Sequence, residues 1–302
     1  MCCKNPNETL GSGREMMAEV GYNQVVMKVL IAENCGFCPG VRNAIGIARQ
    51  TLRQRQNVYS LGPIIHNDEV VAELEGAGLK IVESVDQIPL GTVIIRSHGA
   101  TLEELGKIRE KGLQIVDATC VLVKKVQGTV RELHEQGYLV LVIGDTNHPE
   151  VRAIVGSAPE VVVVADRTDL HKLPFNRKLG VVCQTTESPE FFGAMLDAIS
   201  QRGFSEMRVI NTLCKEAIKR QRSAVDLCRK VDVMFVLGGL QSANTRKLAE
   251  LCKKHNRQTF HLQSWKEFDK STVLDKETAG VTAGASTPDR VVEEFVRNLE
   301  AL

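Results

Sequence analysis

The chain is poor in aromatics, which make up 4% of its 302 residues, too few to lay a base-stacking surface for single-stranded nucleic acid. It has no excess of either charge. Against 38 Lys and Arg stand 37 Asp and Glu, so no whole-chain field draws it to nucleic acid or anionic lipid. No apolar run approaches the ~18–20 residues of a membrane helix; the longest, such as 138–143 and 161–165, are strand-length. Residues 1–26 carry Asn, Gly, Glu and Lys without an apolar h-region, so they read as a poorly ordered N-terminal extension rather than a secretory signal. The nine cysteines are odd in number and scattered, which argues against a disulfide framework and for metal binding or catalysis by some of them. Together these features predict a cytoplasmic protein with no nucleic-acid and no membrane partner.

What the chain does have is rhythm. Short β-branched runs at 28–32, 57–61, 91–96, 113–117, 138–143, 160–165, 179–183, 207–210, 231–237, 258–262 and 279–283 alternate with amphipathic stretches such as 40–55, 101–111, 124–136, 189–202, 215–230 and 244–255. Strands alternating with helices of that length predict βαβ units, parallel sheet and an α/β fold.

The rhythm also repeats. Cys38, Cys120 and Cys214 each stand at a strand-to-helix turn, and 28 residues after each come His66, His148 and Ser242. These follow a strand and a glycine: Gly62, Gly144 and Gly239. A third polar post-strand turn follows at Ser97-His98, Gln184-Thr185 and Ala285-Ser286. Equal spacing met three times predicts a structural threefold repeat. The units are 27–119, 120–213 and 214–290, with 291–302 ending a C-terminal helix. The first strand, 27–37, can belong to the first unit or join the third. In α/β units ligands collect beyond the carboxyl ends of strands, so three units facing one another bring their loops to one central cavity.

A cysteine at a helix start faces free N–H groups and the positive end of the dipole. Both favour the thiolate, the form that binds metal. Three such sites make a soft ligand set one short of a closed tetrahedral site, leaving one metal position open. Packing is the commoner explanation for a single buried cysteine; three at equivalent positions reverse that. Cys35-Gly36-Phe37-Cys38 is also a C-x-x-C, though nothing around it suggests a thioredoxin. Cys183, Cys228 and Cys252 fall inside strand or helix patterns and read as core. His148-Pro149-Glu150 has the H-x-E of zinc deaminases without the P-C-x-x-C that should follow.

His66, His98, His148, Ser242, Asn244 and Ser286 all lie on post-strand turns. Ser and Asn there are ordinary N-caps, but jointly these groups describe an anion cradle. With no G-x-x-x-x-G-K-[ST], a phosphate ester without a nucleotide fits better than a nucleoside triphosphate. Glu150 is a candidate proton donor beside that cradle, or else a solvated carboxylate at a helix start.

These residues stand in ordered motifs: Gly36-Phe37-Cys38-Pro39-Gly40-Val41, Ser97-His98-Gly99, Asp117-Ala118-Thr119-Cys120, His148-Pro149-Glu150-Val151, Gln184-Thr185-Thr186, Asn211-Thr212-Leu213-Cys214, Gly238-Gly239 with Ser242 and Asn244-Thr245, and Thr282-Ala283-Gly284-Ala285-Ser286. From about Met27 to Arg290 the chain resembles the 4-hydroxy-3-methylbut-2-enyl diphosphate reductase family, which closes the non-mevalonate isoprenoid pathway. The resemblance implies a trefoil of three α/β units with small parallel sheets in pseudo-threefold array around a central 4Fe–4S cluster. Its ligands would be Cys38, Cys120 and Cys214, and its fourth iron would take the substrate hydroxyl. The diphosphate would lie among His66, His98, His148, Ser242, Asn244 and Ser286. Glu150, Thr185 and His148 would be the catalytic groups, and a ferredoxin or flavodoxin would supply two electrons. The products would be isopentenyl and dimethylallyl diphosphate. The chain departs from the family at Val121, where proline is usual, and at Ala243, where a second serine is usual; Cys35 is extra. A paralogue reducing another allylic substrate, or a simple iron–sulfur electron carrier, remains as an alternative.

Overall fold

The computed structural model describes residues 27–174, 177–240 and 242–302; the extension expected over 1–26 lies outside them. Its first strand, β1 (Lys28–Ile31), pairs in parallel with its last, β12 (Thr278–Ala283), Lys28 opposite Thr278. Between them run β2 (Val58–Leu61), β3 (Leu79–Val82), β4 (Thr92–Ile95), β5 (Gln114–Asp117), β6 (Leu139–Ile143), β7 (Val162–Val164), β8 (Lys178–Cys183), β9 (Glu206–Val209), β10 (Val233–Leu237) and β11 (Thr259–Leu262). They form three four-stranded sheets, ordered β3-β2-β4-β5, β7-β6-β8-β9 and β11-β10-β12-β1. Every pairing is parallel. The three orders are one pattern, with β1 standing in the third sheet where β5 and β9 stand in the others.

The inner strands read as continuous apolar runs because helices cover both faces of a parallel sheet. All of β6 and all of β10 are buried. The edge strand β9, Glu-Met-Arg-Val, is exposed throughout, and its charges discourage pairing with a second chain. Each sheet carries its own apolar clusters, such as Leu141, Val181, Phe192 and Ile199 in the second and Phe235, Val281 and Phe295 in the third. Each such side chain contributes roughly 1.5–3 kcal/mol by leaving water.

The helices are α1 (Pro39–Gln54), α2 (Asp68–Gly76), α3 (Leu102–Glu110), α4 (Val121–Glu135), α5 (Pro149–Val155), α6 (Pro189–Ser200), α7 (Lys215–Cys228), α8 (Ala243–His255) and α9 (Asp289–Glu300). The strand β3, the short α5 and the helix α2 go beyond the strand and amphipathic runs that the sequence pattern picked out. The helix α2 has nine residues and β3 has four, and Gly76-Ala77-Gly78 blurs the boundary between them. Periods of 3.6 and 2 are hard to tell apart over so few positions. Among the described residues no helix is long and apolar enough to cross a membrane.

Candidate active site

The parallel sheets point the carboxyl ends of their strands inward. Three strands of each sheet deliver a turn to the centre, and the outer strands β3, β7 and β11 do not. The turns after β1, β5 and β9 carry Cys38, Cys120 and Cys214; those after β2, β6 and β10 carry His66, His148 and Ser242. The turns after β4, β8 and β12 carry His98, Thr185 and Ser286. All nine, with Glu150 and Asn244, line one cavity. Every site residue expected from sequence is therefore brought together.

Cys38, Cys120 and Cys214 are the N-caps of α1, α4 and α7. The Cys38 Sγ accepts a hydrogen bond from the Val41 N–H at 3.4 Å, and Pro39 opens α1 where an N–H would be an orphan anyway. At the same helical position in α4, Val121 stands in place of the family's usual proline, 75% exposed; α4 begins there regardless. Gly40 has a steric reason. A Cβ on it would stand 2.9 Å from the Cys120 Sγ and 3.9 Å from the Cys38 Sγ, so the glycine makes room for two sulfurs. None of the three is in a disulfide. Burial raises the Cys214 thiol; the Ala217 and Glu216 N–H groups offset this in part, while Cys38 and Cys120 add to the rise. The expectation that its helix start lowers the Cys214 pKa is thus overruled: desolvation and like-charge neighbours outweigh the dipole. Three converging soft donors that repel one another as thiolates fit a polynuclear cation, which removes the repulsion.

In the same cavity, the rings of His66, His98 and His148 have centroids 4.9, 5.5 and 6.2 Å apart. Their ligating nitrogens lie within 4.8 Å of one another, close enough for a metal ion. The hydrogen bonding of His148 favours an anion instead. Its Nδ1 accepts the Glu150 N–H at 3.1 Å, capping α5. A neutral imidazole accepting at Nδ1 carries its proton on Nε2, which makes Nε2 a donor. Burial is the largest cause lowering all three: it lowers His66 with help from the Arg96 guanidinium, depresses His98 well below the usual imidazole value with help from His66 and His148, and brings His148 to about 4 with help from His66. The His98 Nδ1 is buried without a hydrogen-bond partner, and such an orphan calls for a ligand atom. The hydroxyls complete the cradle: Ser242 caps α8, accepting from the Thr245 N–H at 3.3 Å, and Ser286 Oγ donates to the His66 carbonyl at 3.0 Å.

Glu150 lines the cavity that holds both the sulfurs and the cradle. It is 3% exposed, so the reading of a solvated helix-start carboxylate is set aside. Burial is the largest cause raising its pKa; the Thr185 N–H, 2.7 Å from Oε1, and the Thr185 hydroxyl work against the rise.

The model of the family described as LytB protein matches residues 29–300. The chain belongs to the LytB protein family. It is 44% identical over 275 residues to the 4-hydroxy-3-methylbut-2-enyl diphosphate reductase of Trichlorobacter lovleyi, covering 91% of this chain and 98% of that one. The Geobacter sulfurreducens protein of the same name is 42% identical, with 91% and 97% covered. A solved structure of (E)-4-hydroxy-3-methyl-but-2-enyl diphosphate reductase matches with TM-score 0.70 at 36% identity, over 91% of this chain and 100% of that one. The corresponding Plasmodium falciparum reductase matches with TM-score 0.86 at 28% identity, over 90% and 87%.

This LytB chain also places at the site a residue that no motif pointed to. Arg220, on α7, is 4% exposed and donates from Nη1 to the Ala283 carbonyl at 2.7 Å. It lies among Cys35, Cys38 and Cys214, a buried cation beside converging sulfurs. Its place on the stripe Ala217, Arg220, Ala224, Leu227 is the only sequence sign of it, since a charge there is out of keeping with an apolar face. Cys35 is half-buried and outside the cavity lining, its thiol pushed up to about 11 by burial. Cys183, Cys228 and Cys252 are buried in the cores.

Proposed function

We propose that the chain reduces (E)-4-hydroxy-3-methylbut-2-enyl diphosphate to isopentenyl and dimethylallyl diphosphate at a 4Fe–4S cluster held by Cys38, Cys120 and Cys214. The observation that carries the reading is the single cavity that joins three capping thiols, an anion cradle and one buried glutamic acid. An electron carrier has no use for the last two. When bound, the cluster supplies electrons one at a time and an iron with a free coordination position.

The chain's own residues do the rest. His66, His98 and His148 meet the diphosphate with Ser242, Asn244 and Ser286, and the charge of the ligand draws protons onto the imidazoles. That replaces a depressed pKa by a charge-assisted hydrogen bond. Burial favours the protonated form of Glu150, and a bound polyanion favours it further. Removing the hydroxyl as water takes two electrons and two protons, and Glu150, with Thr185 beside it, is the acid placed to give a proton. The electrons come from a ferredoxin or flavodoxin, and the setting is cytoplasmic.

The test is anaerobic reconstitution followed by assay with the diphosphate and a reduced one-electron dye. Both isoprenoid diphosphates should form from protein loaded with iron and sulfide. Turnover of only a different allylic substrate would indicate a paralogue, and zinc bound stoichiometrically in place of iron would overturn the proposal.

A further inference from the structure

Beside the central cavity lies a second one, of about 440 Å³, room for many waters. The wall between it and the central cavity is shared. Thr185 and Thr186 face the centre and Glu187 faces the second cavity; Asn244 and Lys247, one helical turn apart on α8, divide in the same way. In that wall Glu187 pairs with Lys247. The two ends of this pair differ in their access to water: the lysine side chain is 37% exposed and the glutamate 7%. Solvent therefore screens the cation, while the carboxylate's field passes into the protein little diminished.

We infer that Glu187 is a positioning residue for the proton on Glu150, its carboxylate anchored by Lys247 so that the negative end of the pair faces the acid. The inference rests on the reading of Glu150 as the proton donor. Three further titratable groups lie nearby: His148 caps the helix of Glu150, the Cys183 thiol comes from the end of β8, and Asp145 lies on the turn before His148. His148 is neutral because burial lowers it, and Cys183 stays protonated because burial and the nearby Glu187 and Glu150 raise it. Asp145 lines the second cavity, on the side of Lys247. Of the charges acting on Glu150, Glu187 raises its pKa more than Lys247 lowers it. A protein that used the pair only to tie β8 to α8 could present either end to the acid.

The experiment compares the parent holoenzyme with Glu187→Gln, Lys247→Gln and Lys247→Arg. Two quantities are followed against pH: turnover at saturating diphosphate with a reduced dye, and the infrared band of the protonated carboxyl assigned by its loss in Glu150→Gln. Glu187→Gln leaves an uncompensated cation, so the alkaline limb of turnover and the titration of the band should both move to lower pH by about one unit, tenfold in rate on that limb. Lys247→Gln should move both the other way or leave them in place, and Lys247→Arg should match the parent. If Glu187→Gln lowers turnover equally at every pH and the band titrates as in the parent, Glu187 is merely structural and the inference falls. If the band moves while the turnover limb does not, Glu187 controls the acid as inferred, and it is the proton-donor role of Glu150 that fails.

Discussion

The first unit brings imidazoles to both positions where the third brings hydroxyls, and the second brings one of each, His148 and Thr185. His66 and His148 correspond to Ser242, and His98 in the first unit corresponds to Ser286 in the third. The backbone frame is the same and the cysteines are the same, so the difference lies in the kind of hydrogen bond offered. A hydroxyl donates at any pH near neutrality. An imidazole held neutral by burial can gain a proton when an anion arrives, and its contribution grows with the charge of the ligand. One side of the cradle is fixed and the other responds.

The largest effects test what the three units share. Cys38→Ser, Cys120→Ser and Cys214→Ser should each abolish activity, with iron content falling in all three, because threefold equivalence leaves none of them spare. Cys35→Ser, outside the lining, should keep most of both. Glu150→Gln comes next. It should retain iron and diphosphate affinity yet lose ~10²–10⁴-fold in single-turnover rate; near-parental turnover would return the proton to another donor.

The comparison itself is sharpened by His66→Ala against Ser286→Ala. Each removes a donor to a charged group, costing roughly 1.5–3 kcal/mol, about ten- to 150-fold in diphosphate affinity by calorimetry. The histidine cost should grow as pH falls, since the parent ring then binds as a cation, while the serine cost stays flat. Equal pH slopes would erase the distinction between the two sides. The smallest effect is on stability. The unfolded chain binds protons at histidine near pH 6.5, but the folded rings resist until lower pH, about 4 for His148. Stability is therefore lost as pH drops from about 6.5 toward 4. Glu150, raised rather than lowered, acts in the opposite direction and gains as pH falls. Three rings outweigh one carboxyl, so the net melting temperature should decline on acidification, and inorganic diphosphate should reduce the decline.

Much of this site is legible in the sequence because a repeated unit writes its functional turns at a repeated spacing. The interval of 28 residues linking Cys38 to His66, Cys120 to His148 and Cys214 to Ser242 is the helix, the next strand and its turn, counted three times. Where the repeat is silent, so is the sequence. Arg220 occurs in one helix only, and a lone arginine is ordinarily read as solvated. The pairing of Glu187 with Lys247 joins residues 60 positions apart through a wall that exists only once α7, α8 and the turn after β8 have met. The neutrality of the histidines likewise depends on burial, which no spacing reveals.

The place of β1 in the third sheet has a consequence for how the molecule comes into being. β1 emerges from the ribosome about 250 positions ahead of β12, the strand it pairs with among the described residues. The first two sheets can assemble from contiguous chain as it appears, whereas β1 must wait for the third. Cys38 follows directly on β1, so one of the three thiols is delivered by the last pairing to form. Such distant closure is slow, and it acts as a checkpoint: a chain truncated before β12 would have two cysteines in place and could not hold the third. The complete thiol set is thus a property of finished molecules, and partial chains are kept from presenting it.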